Sequence, residues 1–414
     1  MRIRKATRDP DHEPAPVGTG VGSPQRLARL RKRGVAPAAA VSALVAVALA
    51  MIPAAPARAA GNDACAPEQT VRWRGGTLRL ENDLFTGTDR NYTNGVSLNL
   101  ASRDIPGRLQ PECLPAPIRW HAAFIKLVDP AFWAEADRPD DTQNVVARLG
   151  QAMYTPADYT RTDLISDDRP YAGLLYAGLA WNRRVHPSGA DHEMLDTREV
   201  TLGIIGPWSL AEQSQDLVHR LRGFDRFQGW NHQLHNEPAF QVAMERKYKP
   251  WSGVNAVQPG WGNDVIGSYA LRLGNIETAA SAGLEWRVGW NIPNDFGSYP
   301  IRPGTENRPP TVASDLRAAE PRSARAPRPG THAFVNVEAK AVAWDFSLDG
   351  NLFRASHHVT RRPWVAQAAA GISSQWLVRG HGVRLALMHV WRTREFEGQR
   401  GSHAFGSVAL SMEF

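Results

Sequence analysis

The sequence has only two cysteines, Cys65 and Cys113, among its 414 residues. With only two thiols, the sequence gives no indication of a Cys-based metal site or of thiolate chemistry. Both cysteines lie in the part of the chain that we expect to be exported. In an oxidising compartment such a pair most often forms a disulfide, so we predict a structural role for both.

Long apolar runs are absent after residue 60, and the apolar stretch before that point has the order of a targeting signal. A basic run over residues 26–34 leads into an Ala-rich apolar stretch over 35–52 and then the small-residue site Ala57–Ala59. This order predicts a secretory signal peptide over residues 1–59. A transmembrane anchor is the alternative, and the two prolines within and just after the stretch argue against it.

An excess of positive charge is also lacking once the signal segment is set aside. The whole sequence has 48 Lys and Arg and 41 Asp and Glu. Residues 1–59 contain ten of the basic and three of the acidic residues, so 38 basic and 38 acidic residues remain after residue 59. The formal charge of +7 therefore belongs to the signal segment. The sequence consequently predicts no nucleic-acid partner for the exported protein.

Helical periodicity is scarce after residue 60, whereas runs that alternate apolar and polar residues recur. Such alternation is typical of strands with two different faces. We predict about twelve strands, near 77–83, 92–102, 144–154, 171–182, 198–206, 238–249, 264–275, 280–291, 332–344, 364–377, 383–393 and 403–414. The stretch from 300 to 331 is rich in Pro, Arg and Ala, and we predict a low-complexity loop there.

The last run, "HAFGSVALSMEF", alternates from Val408 onward and ends on the aromatic Phe414. A final strand of this kind resembles the closing strand of bacterial outer-membrane barrels. Together with the signal peptide, it predicts an all-β protein, a single-domain transmembrane antiparallel β-barrel over residues 60–414. The predicted location is the bacterial outer membrane, and tryptophans near many strand ends suit its interfaces.

Strand parity then predicts which segments share one end of the barrel. Both termini of such barrels normally lie on the periplasmic side, so loops after odd-numbered strands lie outside the cell. The loop after strand 1, the loop 155–170 and the loop 207–237 therefore share the outer rim. The two cysteines fall at the opposite rim.

Four blocks in these loops resemble one known family. "ENDLFTGTDRNYTNGVSL", "DDRPYAGLLYAGL", "GIIGPWSLAEQSQDLVHR" and "GWNHQLHNEP" occur in this order and look like blocks of the outer-membrane lipid A 3′-O-deacylase family. The resemblance covers roughly residues 77 to 295. It implies a twelve-stranded barrel with a calcium-dependent esterase site, and lipid A or lipopolysaccharide as substrate.

The resemblance also implies roles for individual residues. The family's Asn-Asp pair falls on Asn82 and Asp83, its threonine on Thr93 and its histidine on His219. Its glutamine falls on Gln215, and Asp225 stands where the family member compared has a glutamate. A basic residue falls on Arg161. We expect these groups to converge at the outer mouth of the barrel, with the imidazole beside the Asn-Asp step.

The chemistry of these residue types agrees with ester hydrolysis. His219 is the candidate general base for a water molecule. Asp83, with amide and carbonyl oxygens, suits Ca²⁺, which polarises an ester carbonyl. Asp225 or Asn82 is expected to orient the imidazole or the water. Thr93 is the alternative nucleophile, although the sequence contains no GxSxG elbow.

The substrate is anionic, so Arg161, Arg169 and Arg220 are predicted to contact its phosphates, and Gln215 to bind substrate. Two other functions stay open at this stage, a barrel phospholipase acting on glycerophospholipids and a barrel without enzymatic activity. A zinc site at His232 and His235 is not favoured, because no third ligand is apparent. The oligomeric state is not predicted.

Overall fold

The computed structural model describes residues 70–83, 91–106, 110–134, 141–185, 193–223, 225–253, 259–297 and 328–414. Twelve strands within these residues are 10 to 16 residues long. A tilted strand needs about 9–11 residues to cross the hydrocarbon layer of a bilayer. Each of the twelve is therefore long enough to span a membrane.

The strands occupy most of the described chain, and the helices lie between them. The strands are β1 Trp73–Asn82, β2 Asn91–Ser102, β3 Thr142–Thr155, β4 Ala172–Val185, β5 Met194–Ile205, β6 Glu237–Ser252, β7 Trp261–Gly274, β8 Glu277–Trp290, β9 Gly330–Asp345, β10 Trp364–Val378, β11 His381–Arg392 and β12 His403–Glu413. The helices are α1 Ala116–Val128, α2 Pro130–Ala134, α3 Ala211–Arg222 and α4 Phe346–Asp349. Among the described residues, no helix has the length and apolar character needed to cross a membrane.

The sheet closes on itself. Each strand pairs antiparallel with its neighbour along the chain, and β1 also pairs with β12, so that Leu78 lies opposite Leu98 on one side and Leu410 on the other. A short segment, Ile105–Pro106, extends the pairing along the start of β3. Closure gives every strand two partners and removes the exposed sheet edge, as a membrane-spanning sheet requires.

The outer face of the sheet is apolar and the inner face is polar, which is the reverse of a soluble protein. Apolar side chains such as Leu149, Leu284 and Leu387 point outward and are about half exposed. Charged side chains such as Arg79 and Glu81 point into the lumen and are buried. An apolar exterior around a polar interior is the arrangement of a transmembrane barrel.

The barrel has two ends, which we name by what lies there. The loop rim is the end at which β1 is followed by β2, and it carries the loops after β1, β3, β5, β7, β9 and β11. The terminal rim is the opposite end, where Trp73 begins β1 and Glu413 ends β12. By the parity rule for outer-membrane barrels, the loop rim is expected outside the cell.

Ion pairs fill the lumen near the terminal rim. Arg287 donates two hydrogen bonds to Asp264, at 2.7 and 2.5 Å. Asp295, in the segment after β8, contacts Arg287 and accepts a hydrogen bond from Arg384 at 2.5 Å. Burial alone would raise the pKa of Asp295, but Arg384 and Arg287 lower it well below its ordinary value. The segment thereby ties β7, β8 and β11 together inside the barrel.

Helix α1 packs against the outward face of the wall at the terminal rim. Its buried residues Ile118 and Ile125 form one apolar cluster with Val145 of β3 and Trp181 of β4. The indole N–H of Trp181 donates to Gln143 at 2.8 Å. A tryptophan on the lipid-facing side of a strand is thus covered by protein.

The sequence predicted this architecture closely. The twelve strands and the closed all-β barrel are confirmed, with strand ends shifted by a few residues. Cys113 lies at the terminal rim as predicted and is disulfide-bonded, while Cys65 lies outside the described residues. The signal peptide over 1–59 also lies outside them and stays a prediction. Of the low-complexity stretch, residues 328–331 are described, and Gly330 and Thr331 belong to β9.

We expect replacement of Asp264 by Ala to destabilise the barrel by about 3–5 kcal/mol, because it removes one carboxylate partner of the buried Arg287 guanidinium. The measurement is the temperature at which the heat-modifiable electrophoretic band of the folded barrel is lost. Val337→Ala, on the exposed outward face, is the matched control. Equal unfolding temperatures for Asp264→Ala and the control would contradict this account.

Candidate active site

Helix α3 is the element that brings the predicted histidine to the wall. The chain leaves β5 at Gly206, whose positive φ of 93° favours glycine. A short turn, Pro207–Ser209, leads into α3. The helix ends at Gly223, which has a left-handed conformation and donates its N–H to the carbonyl of His219. This C-terminal cap fixes the last turn, in which the imidazole lies.

The helix lies on the outward face of the barrel, at the loop rim. Ala211 packs with Met153 of β3, and Phe227 and Trp230 from the chain after the helix join the same cluster. Gln151, also on β3, donates its side-chain N–H to the carbonyl of Ser209 at 2.6 Å. Met153 is on the outward side of β3, opposite the lumen-facing Ala152 and Tyr154. The helix is therefore outside the wall and not over the mouth.

Gly173 allows this close approach. A Cβ atom at this position would lie 2.2 Å from Oγ of Ser209 and 2.4 Å from Cβ of Ala211. Real Cβ atoms do not approach other atoms so closely, so any side chain at 173 would move the helix off the wall. The glycine of the "DDRPYAG" block thus has a packing role.

One face of α3 is buried against the wall. Ala211, Gln215 and His219 follow each other at four-residue intervals, a spacing that places them on one side of a helix, and all three are at most 4% exposed. Leu217 and Leu221 lie on the other side and are exposed. The predicted base and the predicted glutamine therefore face the strands together.

The imidazole of His219 is held by a main-chain carbonyl. Its Nδ1 lies 2.6 Å from the carbonyl oxygen of Asp225, and its ring packs edge-on against Phe227, with 5.4 Å between centroids. A carbonyl oxygen only accepts, so Nδ1 is assigned as the donor of this bond, which leaves Nε2 as the nitrogen able to take up a proton. The carboxylate of Asp225 is exposed, so the backbone of this residue, and not its side chain, makes the contact with the ring.

Gln215 connects the helix to the chain that follows it. Its Oε1 accepts a hydrogen bond of 2.8 Å from the indole N–H of Trp230. That bond fixes the amide plane, and Nε2 is buried with no hydrogen-bond partner among the described residues. The site thus contains an N–H donor on the same helix face as the imidazole.

A β-bulge in the wall lies at Thr93. The pairing of β2 with β3 shifts between Tyr92 and Asn94, so that Thr93 is an extra residue in β2. Its hydroxyl lies 2.6 Å from that of Thr155, which is on the outward side of β3. Tyr92 packs in the lumen against Phe405, so regular alternation would place Thr93 outward and return Asn94 to the lumen, whereas Asn94 pairs with the outward-facing Met153. The bulge places Thr93 and Asn94 together on the outward side.

The Asn-Asp pair ends β1 beside this bulge. Asn82 lies opposite Asn94 and donates its side-chain N–H to the carbonyl of Thr93 at 3.0 Å. Because the nitrogen makes this bond, the amide oxygen points the other way. Asp83 follows directly and is fully buried. Residues 84–90, which include Asp89, lie outside the described residues.

The three predicted phosphate-binding arginines have different surroundings. Arg161 is exposed and pairs with Asp163, and Arg220 is exposed on α3. Arg169 does not reach the outward face. It is fully buried and donates to Glu395 at 2.8 Å, beside the ring of Tyr154. Its lumenal position corrects the expectation that it contacts lipid phosphates, because the wall separates it from the lipid.

The structure also changes the predicted position of the site. The sequence placed the groups at the mouth of the barrel, whereas α3 and its buried face pack on the outer side of the wall. Strand parity fixes which rim a loop joins but not whether its helix folds over the lumen or down the exterior. Gly173 and Thr155, to which the sequence analysis gave no role, decide this through their contacts with the turn before α3 and with Thr93.

The two additional histidines do not form a metal centre with other residues that the structure describes. His232 is exposed, and its Nε2 lies 3.1 Å from the carbonyl oxygen of Thr162. Within the described ranges, no group of three His, Cys, Asp or Glu side chains has the arrangement of a metal site.

Comparison with known proteins agrees with this architecture. The solved structure of LpxR from Salmonella typhimurium is similar over 82% of this chain and 100% of that chain, with a TM-score of 0.56 and 16% identity. The β-domain of the Bordetella autotransporter BrkA aligns over 83% of this chain and 99% of that chain, with a TM-score of 0.40 and 8% identity. The likeness to the Salmonella structure, at 16% identity, concerns the fold alone.

A search of curated protein sequences found no match. The model of the family described as outer membrane protein LpxR matches residues 43–414, which is most of the chain and all of the described barrel. This match supports a location in the outer membrane. The chain belongs to the LpxR family of outer membrane proteins.

Proposed function

We propose that this chain is a lipid A 3′-O-deacylase, which hydrolyses the 3′-linked acyl ester of lipid A at the outer leaflet. The observation that carries the proposal is the contact of His219 Nδ1 with the carbonyl oxygen of Asp225, on the buried face of α3. It leaves a basic nitrogen on a ring that is shielded from bulk water. The LpxR family and the outer-membrane barrel support the same substrate class.

His219 acts as the general base. Its Nε2 takes a proton from water as the water oxygen bonds to the carbonyl carbon of the ester. The tetrahedral intermediate then expels the 3′-oxygen of the sugar, and the imidazolium returns the proton to that oxygen. The products are a free fatty acid and a lipid A hydroxyl. A positioned base of this kind contributes about 10²–10⁴-fold to a rate.

Water is a better nucleophile here than Thr93. The hydroxyl of Thr93 already shares a hydrogen bond with Thr155 at 2.6 Å and is 2% exposed. It would have to give up this partner to attack an ester. We therefore assign Thr93 to the wall of the groove, where its carbonyl holds Asn82.

Gln215 supplies a donor for the developing negative charge. Trp230 holds its Oε1, so that Nε2 is directed away from that contact and is buried without a partner among the described residues. A preorganised N–H donor stabilises an oxyanion more strongly in a water-poor site than in solvent. In this role Gln215 binds the ester carbonyl.

The residues near Asn82 are chemically suited to calcium. Ca²⁺ prefers oxygen ligands, and a carboxylate with amide and backbone carbonyl oxygens is a common set. Asp83 is a buried carboxylate, and the amide oxygen of Asn82 points away from Thr93. We assign Asp83 as the charged ligand. When bound, the ion polarises the ester carbonyl as a Lewis acid.

The exterior of α3 faces the leaflet that contains the substrate. Leu217 and Leu221 are exposed on the side of α3 away from the wall, and Trp208 is exposed in the turn before the helix. These side chains are assigned to the acyl chains of the leaflet. Arg220 lies beside them, and Arg161 belongs to the neighbouring loop after β3. Both are assigned to the lipid phosphates, since a guanidinium pairs well with phosphate.

Replacement of His219 by Ala is expected to lower deacylation by about 10²–10⁴-fold, because the base is lost while its supporting carbonyl stays in place. Mass spectrometry of lipid A from expressing cells measures the loss of the 3′ acyl chains. His232→Ala, an exposed histidine in the same loop, is the control and should retain activity. Full deacylation by a folded His219→Ala protein would refute the role.

Replacement of Asp225 by Asn or Ala is expected to leave activity close to that of the unmodified protein. The contact with His219 comes from the main-chain carbonyl, which every residue has. Initial rates on purified lipid A, at saturating calcium, give the answer. A loss as large as that of His219→Ala would show that the carboxylate itself is needed.

Removal of calcium by a chelator is expected to abolish deacylation, and added Ca²⁺ to restore it. Asp83→Asn removes the charged ligand and should raise the calcium concentration for half-maximal rate by at least about tenfold. The exposed Asp163→Asn serves as the matched control. Chelator-resistant activity would exclude the metal from the reaction.

A further inference from the structure

A second groove lies on the outward face of the barrel, on strands that α3 does not touch. At the loop rim it has a volume of about 520 Å³. Its lining includes Ala339 of β9, Trp364 and Ala366 of β10, Ser402 before β12, and two arginines, Arg362 and Arg394. We call it the arginine groove. It continues along the wall into a cavity of about 740 Å³, which shares Ala339, Ala366 and Ser402.

The main chain holds both arginines at the top of this groove. The N–H of Arg362 donates to the carbonyl of Glu395 at 2.7 Å, and Arg361 pairs with Phe396 in an antiparallel bridge. The segments before β10 and after β11 are therefore fixed against each other. The backbone positions of Arg362 and of Arg394, which directly precedes Glu395, follow from this pairing.

The neighbouring charges point elsewhere. Arg361 donates to Asp349 at 2.9 Å, and Glu395 accepts from Arg169 inside the barrel. Among the residues that the structure describes, no ion pair includes Arg362 or Arg394, and Nε of Arg362 is buried without a hydrogen-bond partner. No acidic side chain lines the groove at this level. Two uncompensated positive charges at one site are suited to a phosphate group.

The outward-facing side chains below the arginines are small and apolar. Ala339, Ala366 and Ala368 form this floor, and Leu284 and Trp391 lie beside them. The cavity also contacts Glu338, Gln367 and Arg392, which alternate with these residues and belong to the lumenal face of the sheet. Trp364 is 71% exposed at the very start of β10, at the depth where aromatic girdles meet the headgroups of a bilayer. Small side chains between large ones leave a channel on the lipid-facing surface with the shape of an acyl chain.

We propose that the arginine groove is a second lipid site, which binds one molecule of lipid A. A phosphate of the lipid pairs with Arg362 and Arg394, and one acyl chain lies over the alanines. An inorganic phosphate would leave the apolar floor uncovered, and a zwitterionic lipid would bring a cation toward two arginines. The site does not depend on hydrolysis, because it lies on β9–β11 and contains none of the residues around His219.

The test is native mass spectrometry of the full barrel released from detergent in the presence of purified diphosphorylated lipid A. The unmodified protein should retain one more lipid molecule than the double variant Arg362→Ala/Arg394→Ala. The affinity of the double variant for lipid A should be lower by about tenfold or more. Arg354→Ala/Arg400→Ala removes two exposed charges from the same rim and is the matched control, expected to bind as the unmodified protein does. Ala366→Leu, which fills the floor and keeps both charges, should also lose the additional lipid.

Further lipids separate the two parts of the site. Dephosphorylated lipid A and phosphatidylcholine should bind no better to the unmodified protein than to the double arginine variant. Equal retention of diphosphorylated lipid A by the two proteins would overturn the proposal. Displacement of the lipid by millimolar inorganic phosphate, with Ala366→Leu still binding lipid normally, would also overturn it and leave an anion site. Heat-modifiable electrophoretic mobility checks that each variant is folded. The experiment measures lipid binding only, so it tests the second site even if the barrel does not deacylate lipid A.

Discussion

Hydrocarbon offers no hydrogen-bond partners, so a sheet that crosses a membrane must pair its backbone groups within the protein. In this chain the pairing of β1 with β12 meets that requirement, and much of the remaining structure depends on it. Once the cylinder is closed, every second side chain must face lipid and the others must face the lumen. Arg287 and Asp264 are buried together for this reason, although an isolated charge at either position would be costly.

The closed wall also explains where the proposed chemistry lies. The lumen is filled with side chains, and the wall is continuous, so a substrate with several acyl chains is best met on the lipid side. Helix α3 packs against that side without interrupting the sheet. Gly173 lets the helix approach, and the bulge at Thr93 keeps Thr93 and Asn94 together on the outward face. The site is thus built from local exceptions to a regular pattern.

The sequence predicted the regular part of the molecule well, since alternation with period two records which side of a strand is buried. It also predicted which loops share a rim, because parity follows from the strand count. It did not predict that the exposed face of α3 would be Leu217 and Leu221, nor that Arg169 would turn into the lumen toward Glu395, 226 residues away. Such contacts depend on packing between distant segments. The role of the Asp225 backbone was equally hidden, because a carbonyl oxygen is the same at every residue.

Helix α1 has an effect on how the barrel sits in its membrane. Beneath α1 and α2, the outward side of β3–β5 carries polar groups, including Gln143, Arg183 and Asp196, that hydrocarbon does not reach. On the far side, Trp290 and Trp376 keep the wall apolar almost to the terminal rim. The hydrophobic thickness of the barrel is therefore unequal around its circumference. A bilayer adapts to such mismatch by local thinning or by tilt of the protein, so the cylinder axis is expected to incline away from the membrane normal.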